Sequence, residues 1–65
     1  MLAKNIKRLR GERRLTQEQL AQKAGITYST LIKIESGANG NPTLETLSKI
    51  ADVFEISLDE LVGRG

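Results

Sequence analysis

Apolar residues recur at helical spacing along almost the whole chain, and no stretch alternates with the period of two that a strand needs. Leu2, Ile6 and Leu9 fall at i, i+4 and i+7, which predicts a first helix from Ala3 to Arg13 with a narrow apolar stripe. Leu20 and Ala24 share one face of a second helix over 17–24, and Leu31 and Ile34 share one face of a third over 28–36. Leu44, Leu47, Ile50, Ala51 and Phe54 mark a fourth helix over 43–55 and are all expected in the core. Leu58, Leu61 and Val62 belong to a short last helix. The tail Gly63-Arg64-Gly65 is expected to fray.

Capping chemistry sets where these helices begin and end. Thr16 with Gln19 forms a capping box for the second helix, and Ser57 with Glu60 forms another for the last. Thr27 and Thr43 are further N-caps, and Glu45 complements the positive end of the fourth helix. Gly25 and Gly37 end the second and third helices, because glycine adopts the left-handed conformation without steric cost. Ala38-Asn39-Gly40-Asn41-Pro42 is a loop by composition. Two positions break the local rules. Gly11 lies inside the first helical pattern, where it costs about 1 kcal/mol relative to alanine. Arg14 follows that helix, where a left-handed backbone would cost an arginine about 1–2 kcal/mol.

Two short helices joined through Gly25-Ile26-Thr27 have the form of a helix-turn-helix. Gln17, Leu20, Ala21, Gly25, Ile26, Leu31, Ile34, Glu35 and Gly37 stand as they do in the phage repressor and Cro-type family, also called the xenobiotic-response-element family, which this stretch resembles. Downstream, P-T-L-E-T-L-S-K-I-A and I-S-L-D-E-L-V-G resemble that family's last two helices, so the likeness runs through nearly all of the chain. It implies a compact all-α fold of five helices, lambda-repressor-like, forming one DNA-binding domain over residues 1–65. It also implies a transcription regulator of a bacterium or phage, a repressor first of all, that binds double-stranded DNA as a homodimer on a palindromic operator.

The resemblance assigns residues as well. Helix 28–36 lies in the major groove, and Thr27, Tyr28, Ser29, Ile32 and Lys33 then face outward to read bases. Gln17 matches a residue that grips phosphate, and the amides of Gln17 and Glu18 at a helix start favour an anion. Lys7, Arg8 and Arg13 are expected along phosphates, with Asn39 and Asn41 serving a loop where many relatives carry lysine or arginine. Arg10 follows Ile6 by one turn, points inward, and is expected to pair with Glu35 in a structural salt bridge. At position 14 the family commonly has glycine. The dimer contact is sought in the last helix and the loop before the fourth, at Val62, Leu58 or Pro42.

Charge sharpens this picture. Net charge is only +2, but residues 1–37 carry eight basic and three acidic side chains, whereas residues 38–65 carry two and five. That asymmetry suits a domain meeting a polyanion on one face. Composition removes other classes. There is no cysteine and no histidine, so thiolate and imidazole chemistry are absent and no metal site is expected. Asp59 and Glu60 are adjacent, and neighbours on a helix do not face each other as a catalytic pair would. No phosphate-cradling motif occurs, so neither an enzyme, a cofactor nor a small-molecule ligand is expected. No apolar run approaches the ~20 residues of a membrane span, which makes the cytosol the expected compartment. The rival reading is a protein-interaction module such as the antitoxin of a toxin–antitoxin pair. Such proteins carry a segment that wraps the toxin, and none is seen after the last helix.

Overall fold

The computed structural model of the chain describes residues 2–38 and 41–63, and its described residues form five α-helices: α1 Leu2–Glu12, α2 Gln17–Ala24, α3 Tyr28–Ser36, α4 Leu44–Phe54 and α5 Leu58–Val62. Each of α2 to α5 begins where its cap stands. Thr16, Thr27, Thr43 and Ser57 have extended backbones, and each hydroxyl accepts the amide three residues on. Both capping boxes close, with Thr16 N–H donating to Gln19 Oε1 at 2.9 Å and Ser57 N–H to Glu60 Oε1 at 3.5 Å. The α2 and α3 bounds are those the pattern predicts. α1 and α4 are each displaced or trimmed by one residue at their ends, within the usual fraying of helix termini.

Three corners of the fold share one backbone. After α2, Gly25 is left-handed at φ 70, and Ile26 N–H reaches back to Ala21 O at 3.0 Å. After α1, Arg14 takes the same place at φ 55, with Leu15 N–H on Arg10 O at 2.9 Å and Arg14 N–H on Gly11 O at 3.1 Å. After α4, Glu55 does so at φ 56, with Ile56 N–H on Ala51 O at 3.2 Å. This is the paired bonding by which a left-handed residue satisfies the last carbonyls of a helix. In each corner an apolar residue and then a hydroxyl cap follow: Leu15-Thr16, Ile26-Thr27 and Ile56-Ser57. Those apolar residues pack against the core, in the position of a hydrophobic staple for the next helix.

The core gathers one face from every helix: Ile6, Leu20, Ala21, Ala24, Leu31, Ile34, Ile50, Ala51, Phe54 and Leu61. α1 packs on α3 and α5, α2 on α3 and α4, and α4 on α5. One expectation fails here. Leu44 has the periodicity of a core residue but is 67% exposed, and Leu47 is only half-buried. Leu44 is the first residue of α4 and faces α5 across open space. Leu44, Leu47, Leu58 and Val62, with Asp59, line an open groove of about 350 Å³ between the two helices.

Candidate nucleic-acid interface

α3 is a helix with two unlike faces. Leu31, Ile34 and Glu35 are buried, which turns Tyr28, Ser29 and Lys33 to the exterior. Tyr28 is 48% exposed at the first helical position, and Ser29 and Lys33 are exposed as well. Ile32 and Thr27 are less free than these three. Ile32 is half-buried on the flank of the helix, so it can present only an edge. Thr27 is exposed, but its hydroxyl accepts Thr30 N–H at 3.1 Å and lies 2.7 Å from Thr30 Oγ1. It holds the helix start, which reduces what it can offer a base.

Glu35 is the anchor beneath this helix. It is 2% exposed, the charged residue in an otherwise apolar core. Arg10 Nε donates to Glu35 Oε2 at 3.1 Å, Arg10 Nη2 donates to Oε1 at 3.2 Å, and Arg10 Nη1 donates to Leu15 O at 3.0 Å. The fork of the guanidinium thus joins α1, the α1–α2 corner and α3, in the bidentate geometry that makes such pairs directional. Gln17 Nε2 adds a further bond to Glu35 Oε1 at 3.2 Å. A buried carboxylate would be costly alone, and here it accepts from two side chains. Among the described residues no buried side-chain nitrogen or oxygen lacks a partner.

That network alters the roles foreseen for several polar residues. Gln17 is half-buried and one hydrogen of its amide points inward to Glu35, leaving the second for an acceptor outside. Glu18 is exposed in the first turn of α2, where the helix amides favour an anion while its own carboxylate does not. Arg8 and Arg13 each have a partner within the chain. Arg8 stands two residues before Arg10, roughly 160° around the helix, and so turns away from α3. It pairs with Glu12 at 3.3 Å and borders a groove with Ile56 and Glu60 beside α5. Arg13 Nη2 donates to Phe54 O at 2.9 Å and its guanidinium sits 5.9 Å from the Phe54 ring centroid. There it offsets the negative end of α4 and stacks on an aromatic face.

Lys7 remains exposed, three residues before Arg10 and therefore roughly 60° around α1 on the flank nearer α3. Asn41 is exposed, and Asn39 lies outside the described residues. Two features escaped the sequence reading. Asn5 Nδ2 donates to Leu61 O at 3.0 Å, tying α1 to the end of α5. The groove beside Leu44 is the second, and the missing coverage of a first-turn residue is invisible to periodicity.

Comparison with known proteins identifies the family of the motif and its fold. A family model described as helix-turn-helix matches residues 6–61. A cryptic phage CTXphi transcriptional repressor, RstR, of Vibrio cholerae serotype O1 is 55% identical over 49 residues, covering 75% of this chain and 43% of its own. The immunity repressor protein of Bacillus phage phi105 is 42% identical over 62 residues, covering 95% of this chain and 42% of its own. Among solved structures, a complex of the SinR and SinI proteins superposes with a TM-score of 0.90 at 34% identity, covering 95% of this chain and 60% of that one. The chain spans about half the length of the curated relatives it matches.

Proposed function

The chain belongs to the helix-turn-helix family of phage repressors and Cro-type regulators, and from that premise we propose that residues 1–65 are the DNA-binding domain of a cytoplasmic, sequence-specific transcriptional repressor. The observation that carries the proposal is α3 itself. Leu31 and Ile34 bury one face while Tyr28, Ser29 and Lys33 stand clear on the other. A helix so mounted can enter a major groove with its first turn toward the base edges. Lys33 donates to O6 and N7 of guanine, and Tyr28 offers apolar contact to a thymine methyl. Ile32 contributes an edge, and Thr27 positions the helix start. Lys7, the outer hydrogen of Gln17, the first amides of α2 and Asn41 line the phosphates.

Dimerisation belongs to this proposal. Two-fold operators place half-sites about 34 Å apart, so two domains must meet along some face. Tyr28 and Leu44 are the large apolar residues exposed among those described, and Tyr28 is on the recognition helix. Leu44 with Leu58 and Val62 is therefore assigned to a second copy of the chain. The rival is a groove that receives a different polypeptide, since the solved relative is a complex of two different proteins.

Selection of bound duplexes from a random pool tests the reading. The expected product is a palindrome whose half-sites carry one G flanked by T-rich positions. Lys33→Met should then lose about 1–3 kcal/mol on that site and much less on sites without the G. A pool that enriches no sequence, or binding that ignores salt, would favour the protein-interaction rival.

A further inference from the structure

Four arginines lie among the described residues, and three have internal partners. Arg8 holds Glu12, Arg10 holds Glu35 and Leu15 O, and Arg13 holds Phe54 O. Arg14 is exposed, and no hydrogen bond or ion pair of its side chain occurs among the described residues. It is also one of two non-glycine residues at positive φ among those described. The corner's bonds come from the backbone and from Arg10 and Gln19, and none comes from the Arg14 side chain. Arg14 is two residues before Thr16, so the two Cα atoms are at most about 7 Å apart. The corner it occupies is the one that Arg10 ties to Glu35 under α3, and Gln17 shares that carboxylate. The cation therefore sits at the entrance of the motif, on a backbone held in place from beneath.

We propose that Arg14 is a phosphate anchor of this domain, taking the contact that the basic pattern of the chain assigns to Arg8 and Arg13. The inference rests on the DNA-binding reading above. A guanidinium presented from a fixed corner can meet two oxygens of one phosphate at once. It carries no sequence information, so it registers the protein on the duplex while α3 reads bases.

The test sets binding against stability in the same variants. Affinity for the selected duplex and for a random-sequence duplex is measured over a salt series, and stability by urea melts, for wild type, Arg14→Gly, Arg14→Lys and Arg8→Gln. Arg14→Gly should fold more stably yet bind both duplexes on the order of tenfold more weakly, with the salt slope reduced by about 0.9. Arg14→Lys should retain the slope and lose part of the affinity, and Arg8→Gln should change neither. Arg14→Gly binding with wild-type affinity and slope would overturn the anchor and leave the DNA-binding reading standing. A wild-type protein that bound neither duplex would overturn both.

Discussion

The corner between α1 and α2 and the corner between α2 and α3 trace the same backbone with different residues at its tightest point. One has Arg14-Leu15-Thr16 and the other Gly25-Ile26-Thr27, with φ of 55 and 70 at the first position. Both return the amide of the apolar residue to a carbonyl of the preceding helix, at 2.9 and 3.0 Å. Glycine is thus not what makes the turn. The hydroxyl cap and the partly buried apolar residue accompany it in both corners, and glycine removes a steric cost of about 1–2 kcal/mol. Where an arginine or glutamate occupies the left-handed position, that cost is carried by the rest of the fold.

The two corners differ most in what lies under them. Only the first is tied to α3 by charge, through the Arg10 bonds to Leu15 O and Glu35. Arg10→Met should be the most damaging change, since it leaves Glu35 buried with Gln17 as its remaining side-chain partner. Breaking a fully buried pair costs about 3–5 kcal/mol, and the 24% exposure of the Arg10 side chain lowers the expectation to about 2–4 kcal/mol. For a domain this small, that approaches the whole stability. A loss under about 1 kcal/mol in urea melts would mean that solvent screens the pair as it does on a surface.

Gly25→Arg makes the second corner chemically like the first. Nothing lies within 4 Å of the added Cβ, so the penalty is conformational alone, about 1–2 kcal/mol. Thermal melts showing no loss would mean the corners are not equivalent. The converse change, Glu55→Gly after α4, should stabilise by about 0.5–1 kcal/mol, the relief of strain being offset in part by the looser unfolded chain. It should add to Arg14→Gly, because separate corners without shared partners are independent. The smallest effect is expected at Gly11, which is helical, exposed and free of neighbours around a built Cβ. Gly11→Ala should gain several tenths to about 1 kcal/mol. A destabilised Gly11→Ala would contradict the α1 boundary.

Sequence sufficed wherever the cause was local. Caps, capping boxes, left-handed glycines and apolar spacing act within four or five residues, and these placed α2 and α3 with their bounds. The inward register of Arg10 and Glu35 also follows from position on a helix, which is why their pairing could be expected. Tertiary structure alone decided the fate of Arg8, Arg13 and Leu44. Periodicity gives an angle around a helix but not how closely a neighbour packs on that side, so Leu44 lines an open groove and remains exposed. A long cationic side chain takes whichever anion or carbonyl the packing brings within reach, and α4 brought Phe54 O to Arg13. Residue type marked the chain as basic toward its beginning. The packing of α3 and α5 against α1, and the end of α4 beside Arg13, decided which of those charges find partners within the chain.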